Sequence, residues 1–257
     1  MRTLRNNPLT LSEVNGGRVQ PLAESGGWRL SLPPARRGYA NAQLDDYQST
    51  GGPAFQWLPG TRLRLRARFS AGRDRLVGTA GFGFWNAPFG PGTGWRPRLP
   101  QAVWFFYASE ASDLPLAPVD RPGNGWFLAT IDATRARTLM WAILAAPAGL
   151  LNQIPGIRAR LWPVIRRDLR ISFERLAVDM RNWHDYEINW GSDRSAFLVD
   201  GRPLAISAAS PRGPLGFVTW IDNQALVARP TGRVRWQTEA GTGQWMDVQR
   251  LDVKGGI

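Results

Sequence analysis

The sequence contains no cysteine, one histidine and one lysine among its 257 residues. Without cysteine, neither a disulfide framework nor a thiolate metal site can form. Any base, catalytic triad or metal centre that depends on histidine must use His184. Long apolar runs are also missing, because the longest one, residues 139–151, is interrupted by Pro147 and is too short to span a bilayer.

The first 17 residues contain arginines but no apolar run behind them. This pattern shows neither a signal peptide nor a membrane anchor. We therefore expect a soluble protein located in the cytoplasm.

Acidic residues are few compared with basic ones, since 20 Asp and Glu against 32 Lys and Arg give a net charge of +12. Such a charge can mark a protein that binds nucleic acid or an anionic surface. The arginines are spread along the chain except for a cluster at residues 158–170, and no RNA- or DNA-binding motif accompanies them. We expect mainly a solvated basic surface and no nucleic-acid partner, with peripheral membrane contact through residues 157–170 as an alternative.

Glycine and proline are abundant instead, at 28 and 20 residues, and 43% of the chain is hydrophobic, with 13 tryptophans. That composition is typical of many short strands joined by turns around a large core. It predicts an all-β fold, an antiparallel β-sandwich, and residues 1–257 are expected to form a single domain. The predicted strands are residues 28–32, 62–70, 79–85, 102–108, 125–131, 176–180, 186–190, 195–199, 215–221, 234–238 and 244–253.

One segment, residues 133–170, departs from the strand pattern. Leu139, Met140, Ile143 and Leu144 fall on one helical face. A second helical run follows Pro155 and has arginines on its opposite face. The sequence therefore predicts a helical hairpin inserted between two strands of the sandwich.

Residues 183–204, WHDYEINWGSDRSAFLVDGRPL, contain two alternating strands and two tight turns. The passage resembles the W-H-x-Y-x-I-x-W and D-x-x-x-x-x-V-D-G strands of family 16 glycoside hydrolases. Residues 78–90, GTAGFGFWNAPFG, look like the family's W-P-A-F-W strand, and residues 214–223 and 245–253 resemble its late cleft strand and its closing strand. The resemblance implies the concanavalin A-like jelly roll, in which one sheet forms a concave substrate cleft.

The family's catalytic strand places two carboxylates on one face, about 5 to 5.5 Å apart, for retaining hydrolysis. In chain order the equivalent strand here is residues 100–109, PQAVWFFYAS, which contains no carboxylate. Glu110 arrives only at its end, and Asp113 three residues later cannot share a strand face with it. The resemblance therefore implies a jelly roll that has lost the hydrolase mechanism.

Aromatic residues dominate the strands that would line the cleft. Rings on a concave sheet can hold the apolar face of a sugar or another hydrophobic molecule. Because alternate residues share a face, either Trp104 and Phe106 or Phe105 and Tyr107 point into the cleft. The predicted ligand-binding residues are Trp85, Asn86, Trp104, Phe106, Tyr107, Trp126, Trp220, Asp222 and Asn223.

Three polar residues are candidates for acid or base chemistry: Glu110, His184 and Asp222. Asp222 shares a strand face with Trp220, although Asp222 and Asn223 also suit a simple turn. His184 corresponds to a histidine that the family carries on a strand beside the cleft, and a structural hydrogen bond is its plainer role. No metal-ligand spacing or cofactor motif is present, so neither a metal nor a cofactor is expected.

The helical insertion follows the strand that contains Trp126. It could close over the cleft as a lid, lie on a membrane, or simply cap a sheet edge. We expect a non-hydrolytic ligand-binding protein whose ligand is a carbohydrate or another small molecule. The alternative is an enzyme that cyclises or isomerises a hydrophobic substrate beneath the lid.

Overall fold

The computed structural model describes residues 2–3, 8–23, 26–34, 37–48, 54–72, 75–88, 98–144, 148, 150–207, 209–228 and 234–255. These residues form mainly strands, together with the helices α1 (Ala136–Ile143) and α2 (Pro155–Asp168). The strands are β1 (Arg2–Thr3), β2 (Thr10–Val14), β3 (Arg18–Leu22), β4 (Gly27–Pro34), β5 (Asn41–Asp45), β6 (Thr61–Phe69), β7 (Thr79–Trp85), β8 (Gln101–Ala108), β9 (Gly125–Asp132), β10 (Ser172–Arg175), β11 (His184–Trp190), β12 (Ser195–Val199), β13 (Arg202–Ser207), β14 (Gly216–Asp222), β15 (Gln224–Ala228), β16 (Val234–Thr238) and β17 (Thr242–Gly255).

Two large sheets pack face to face. Sheet A has the order β13-β12-β11-β6-β17-β4-β3, with β1 paired to β17, and sheet B has the order β10-β9-β8-β7-β14-β5-β2. Neighbouring strands in both sheets are antiparallel. The sandwich predicted from the sequence is therefore confirmed, and β15 and β16 add a separate hairpin.

Strand β17 is the longest strand of sheet A and lies between β6 and β4. It pairs with β4 through residues 242–248 and with β6 through residues 246–254. The register shifts between Gln249 and Asp252, where Arg250 has a left-handed backbone with φ of 51°. This irregularity lets one long strand join the two halves of the sheet.

The core lies between the sheets and follows the period of two that strands impose. In β6, Leu63, Leu65, Ala67 and Phe69 are buried, while the arginines between them face outward. Aromatic rings fill the space opposite. The largest buried side chains are Trp57, Trp126, Trp190, Tyr107, Tyr186, Phe69, Phe82, Phe84, Phe105, Phe127, Phe197 and Phe217.

The predicted helical insertion connects β9 to β10, its neighbour in sheet B. Helix α2 begins at Pro155, a position where the missing N–H has no helical partner to lose, and it continues through Pro163 to Asp168. Residues 145–147 and 149 of the insertion lie outside the described residues, as do the side chains at positions 139, 142 and 143. In the described part of the chain, no helix is long and apolar enough to cross a membrane.

The insertion is anchored to the loop between β8 and β9. Trp162 is buried and donates its indole N–H to the Ala117 carbonyl at 3.4 Å, and Arg166 Nε donates to the Leu116 carbonyl at 3.1 Å. Within the insertion, Trp141 Nε1 donates to Asp168 Oδ2 at 2.9 Å. The apolar side of α2 is thus used for packing against the loop.

Candidate functional site

The outer face of sheet B carries a group of aromatic side chains. Strands β8, β7 and β14 are adjacent, and their register aligns Phe106 with Gly81 and Trp220 across the sheet. The next outward positions align Trp104 with Gly83 and Val218. We call Trp85, Trp104, Phe106 and Trp220 the aromatic face.

Two glycines of β7 make room for these rings. A Cβ atom on Gly81 would lie 2.3 Å from the Phe105 carbonyl oxygen and 3.0 Å from the Trp220 ring. A Cβ atom on Gly83 would lie 2.7 Å from the Trp104 Cβ, and Gly83 has a φ of 153°. Because β7 has no side chains here, Trp104 and Trp220 meet above it with centroids 5.9 Å apart.

The rings form one continuous cluster. Trp85 stacks on Trp220 with centroids 6.3 Å apart and planes 9° apart, and Trp104 contacts Phe106 at 5.0 Å. Phe106 and Trp220 are buried, whereas Trp85 and Trp104 are partly exposed. Trp85 and Trp104 are therefore the rings that a ligand can reach.

Polar groups lie next to the two accessible rings. Trp85 Nε1 donates to the Tyr47 hydroxyl at 2.9 Å, and Gln43 Nε2 donates to the same hydroxyl at 3.3 Å. Burial raises the pKa of Tyr47 above its usual range. The indole N–H of Trp104 is buried and finds no hydrogen-bond acceptor among the described residues. An unused buried donor is costly, so this N–H marks an incomplete polar environment.

Asp222 lies at the end of β14 beside Trp220. Its Oδ1 accepts hydrogen bonds from Thr79 N, Thr79 Oγ1 and Gln224 N, each at 3.0 Å. Trp220 Nε1 in turn donates to Thr79 Oγ1 at 2.9 Å. Burial raises the pKa of Asp222 to about 7, although these donors and the Tyr39 hydroxyl oppose the shift. The carboxyl group therefore ties β14 to β7 and holds the Trp220 ring.

A second carboxylate, Glu239, supports the same corner. Its Oε2 accepts from Gly78 N at 2.7 Å and from the Ser109 hydroxyl. Asn223 Oδ1 accepts from Ala40 N at 2.8 Å, so the asparagine also links strands. Thr79, Glu239 and Tyr47 could not be identified from the sequence, because their partners lie tens of residues away and only the folded chain brings them together.

Two carboxylates of sheet B, Asp222 and Asp45, lie on the neighbouring strands β14 and β5. Asp222 is the one acidic residue in the sequences of β7, β8 and β14. On the neighbouring strand, Asp45 pairs with Val218, four residues from the Asp222–Asn41 pair. Four residues of strand span roughly 13 Å, beyond the separation used by inverting or retaining hydrolases.

Two predicted ligand-binding rings face the other way. Tyr107 and Trp126 lie between the sheets, where Tyr107 donates its hydroxyl to the Leu76 carbonyl at 2.7 Å. Trp126 contacts Phe69 and Phe82 in the same core. The prediction that these two rings line the cleft is therefore wrong. Alternate residues of a strand face opposite sides, and Trp104 and Phe106 occupy the outward positions of β8.

The other predicted residues occupy separate places. Asn86 is buried, donates to the Leu99 carbonyl at 2.8 Å and accepts from Gln101 N at 3.0 Å, closing the loop between β7 and β8. Glu110 is exposed in the turn after β8.

His184 lies on β11 of sheet A, opposite the aromatic face, where its Nδ1 is 2.7 Å from Asp200 Oδ2 and its Nε2 is 3.1 Å from the Asp179 carbonyl. The structure thus brings Trp85, Trp104, Phe106, Trp220 and Asp222 together, and Glu110 and His184 lie elsewhere. Across the described residues, no group of three or more acidic and histidine side chains is placed to hold a metal ion.

No protein-family model matches the sequence, and no curated protein matches it significantly. Solved structures do match the fold. The endo-β-1,4-glucuronan lyase from the fungus Trichoderma reesei aligns with a TM-score of 0.50 at 12% identity, covering 96% of this chain and 90% of that one. A β-1,3-1,4-glucanase (lichenase) derived from a mouse hindgut metagenome aligns with a TM-score of 0.50 at 12% identity, covering 97% and 92%.

A third similar structure is a family 16 endo-glucanase from Bacteroides ovatus, with a TM-score of 0.50 at 9% identity, covering 96% of this chain and 93% of that chain. Identities this low establish the fold and not the activity. The chain therefore has the concanavalin A-like jelly-roll fold of family 16 glycoside hydrolases. Its structural neighbours are proteins that process glycans.

Proposed function

We propose that this protein binds carbohydrate on the aromatic face and does not hydrolyse it. The observation that carries the proposal is the contact between Trp85, Trp104 and Trp220, which forms one apolar platform on the outer face of sheet B. Pyranose rings present C–H groups on one face, and such faces stack on indoles. The partly exposed Trp85 and Trp104 would receive the sugar.

Hydrogen bonds would then orient the ligand. The Trp104 indole N–H is buried and has no acceptor among the described residues, so a sugar hydroxyl could accept from it only after the ring rotates. The buried Tyr47 hydroxyl accepts from the Trp85 indole N–H, so the ring that would receive the sugar is held in place before binding. Both groups stand next to the accessible rings.

We do not propose that the protein hydrolyses the bound glycan, because the described residues of the outer face lack a suitable pair of acids. Strand β8 has aromatic residues and no carboxylate. Asp222 accepts three hydrogen bonds from the protein through one oxygen, and it holds Thr79 and Gln224 in place. A carboxyl group so occupied acts as a structural link between strands.

The test is binding of soluble β-glucans, measured by titration calorimetry on the wild type and on Trp85→Ala and Trp104→Ala. We expect each variant to bind about tenfold more weakly, which corresponds to about 1.4 kcal/mol. Trp183→Ala is the matched control, because Trp183 is a partly exposed indole on sheet A that packs beneath Arg68.

Equal loss of affinity in the control would contradict the proposal, and so would the absence of binding to every glycan in a varied panel. A reducing-sugar assay on the same mixtures tests whether the protein hydrolyses the glycan. Release of new reducing ends by the wild type, lost on Asp222→Asn, would show that the protein is a hydrolase after all.

The alternative of a cyclase or isomerase requires a closed apolar chamber beneath the insertion. Outside the insertion, α2 donates hydrogen bonds to Leu116 and Ala117 in the loop between β8 and β9. Leu114 and Leu116 of that loop pack with Phe106 and Phe127. The insertion therefore supports a loop at one side of the aromatic face, which favours an open binding surface over a lid.

Membrane contact is a second candidate function, and the exposure of the insertion favours it. Large aliphatic side chains at residues 140–154 face solvent, including Met140 at 56% exposure and Leu150 at 73%. Residues 133–170 carry seven arginines and a single acid, Asp168, which Arg137 and Arg167 already pair. An apolar patch beside cationic groups suits an anionic bilayer surface.

The membrane contact we propose thus centres on residues 140–154, with the exposed Arg160 of α2 as a nearby cation in the sequence. Co-sedimentation with phosphatidylserine vesicles tests it, and we expect binding that Leu150→Glu together with Leu151→Glu abolishes. Equal binding to purely zwitterionic vesicles, or no change in the double variant, would contradict this candidate function.

A further inference from the structure

A cavity lies at the end of the sandwich where β9 finishes. It has a volume of about 520 Å³ and is lined by Pro59, Arg135, Arg170, Ser192, Asp193 and Arg212. Three of these side chains are guanidinium groups, and they come from three separate segments of the chain. With Asp193 as the single acid in the lining, the cavity has an excess of positive charge.

Arg135 is fixed in place at the base of this cavity. Its Nε donates to Asp132 Oδ2 at 2.6 Å, and its Nη2 donates to the Ser210 carbonyl at 3.4 Å. Asp132 is fully buried and also accepts from the Thr134 hydroxyl at 2.6 Å. The guanidinium is therefore held before any ligand arrives, which lowers the entropic cost of binding.

Gln101 connects two of the lining segments, those of Arg135 and Arg212. Its Nε2 donates to Thr134 Oγ1 at 3.0 Å, next to Arg135, and its Oε1 accepts from Gly213 N at 2.9 Å, next to Arg212. One side chain at the start of β8 thus positions two of the three arginines. Such a frame is what a preorganised binding site requires.

Arg170 occupies an unusual backbone position. It follows α2 with a φ of 52°, in the left-handed region that glycine adopts most easily. The turn is closed by bonds from Arg170 N to the Arg167 carbonyl and from Ile171 N to the Arg166 carbonyl, at 3.1 and 2.9 Å. This turn ends α2 and leaves the Arg170 side chain in the cavity lining.

We propose that this cavity binds an oxyanion, namely a phosphate, sulfate or carboxylate group. Guanidinium groups bind such anions through paired N–H donors, and the Ser192 hydroxyl adds a further donor. The volume exceeds that of the anion alone, so the group could be free or attached to a small carrier such as a sugar. The site does not depend on the carbohydrate bound at the aromatic face.

The test uses inorganic phosphate, inorganic sulfate and glucose 6-phosphate as probes, with thermal unfolding of the whole protein as the readout. Sodium chloride of equal ionic strength is the reference. At ten times its dissociation constant, a bound anion should raise Tm by about 3–5 °C. A larger effect of glucose 6-phosphate than of phosphate would identify an esterified ligand, and the reverse would identify a free anion.

Arg212→Ala and Arg170→Gly should each reduce the affinity at least tenfold, because each removes a guanidinium from the cavity. Arg212 is exposed, and glycine suits the backbone at position 170, so both variants should fold. Arg160→Ala is the control, since Arg160 is an exposed arginine of α2 outside the cavity. No stabilisation beyond chloride, or an undiminished effect in both variants, would overturn the proposal.

Discussion

Trp85 and Trp220 stack on neighbouring strands with their ring planes within 9° of parallel and their centroids 6.3 Å apart. The register does not align the two residues, because Trp220 lies opposite Gly81 and Trp85 lies opposite Gly216. The rings therefore extend along the sheet to meet over β7. This arrangement requires an unoccupied strip of backbone beneath them, which the glycines of β7 provide.

Gly81→Ala should disturb this strip. The new methyl group would lie 2.3 Å from the Phe105 carbonyl and 3.0 Å from the Trp220 ring. We expect the free energy of unfolding to fall by about 1–3 kcal/mol and glucan affinity to fall with it. Gly72→Ala is the control, because a Cβ there meets nothing within 4 Å. Urea denaturation of both variants measures their free energies of unfolding. Equal values for Gly81→Ala and Gly72→Ala would contradict the prediction that Gly81 makes room for the Trp220 ring.

Asp222→Asn should change how stability depends on pH. Burial raises the pKa of Asp222 to about 7, whereas an unfolded aspartate titrates near about 3.9. Between about pH 3.9 and 7, Asp222 is protonated in the folded protein and ionised in the unfolded chain. The contribution of Asp222 to the free energy of unfolding therefore falls as pH rises through this range, and it is constant above about pH 7.

Asp46 contributes in the same direction, since burial raises its pKa to about 6. The difference between the wild type and Asp222→Asn should therefore be clearest between pH 6 and 7, where the wild type loses stability and the variant does not. Urea midpoints measured across pH 4 to 8 test this. Parallel curves for the two proteins would show that Asp222 does not titrate in that range.

Asp247→Ala should be costly for sheet A. Asp247 is fully buried and accepts from Arg29 Nε at 2.6 Å and from Arg68 at 3.1 Å. Removing the carboxylate leaves two arginines without their acceptor, and both are only partly accessible to water. We therefore expect the free energy of unfolding to fall by about 2–4 kcal/mol. Asp252→Ala, which breaks an exposed pair with Lys254 on the same strand, should cost less than about 1 kcal/mol. Chemical denaturation of both variants measures the change in the free energy of unfolding. Similar losses in Asp247→Ala and Asp252→Ala would contradict the greater importance of the buried Asp247.

Tyr107→Phe should separate stability from binding. The Tyr107 hydroxyl donates to the Leu76 carbonyl at 2.7 Å within the core, so its removal should cost about 1 kcal/mol. The ring lies on the inner side of β8, away from Trp104, and glucan affinity should stay at the wild-type value. Calorimetric titration checks this, and a tenfold loss of affinity would mean that the two faces of β8 are coupled.

Much of the fold could be predicted from the sequence, because the alternation in segments such as β6 reports which side of a strand is buried. The passage from His184 to Val199 likewise predicted β11 and β12, which pair as a hairpin. Residues 176–180, predicted as a strand, do not form one, and strands β1, β2, β3, β5, β10, β13 and β15 were not predicted. Their segments contain polar residues such as Asn41 and Asp45, whose burial depends on partners that only the folded chain supplies.

The candidate site was predicted in part. Trp85, Trp104, Phe106 and Trp220 do come together, but the sequence could not decide between the two parities of β8, so Tyr107 was placed on the wrong side. Trp126 was misassigned for the same reason. The links that position the rings, such as Thr79 with Asp222, depend on the pairing of β7 with β14 and leave no local signal in the sequence.

Strand β17 has a consequence for the order in which the chain can fold. It lies between β4 and β6, so without it sheet A would fall into two unconnected groups of strands. Residues 242–255 are also made after every other described strand. Until residues 242–255 have been made, the edges of β4 and β6 that β17 covers have no partner, and unpaired strand edges favour aggregation.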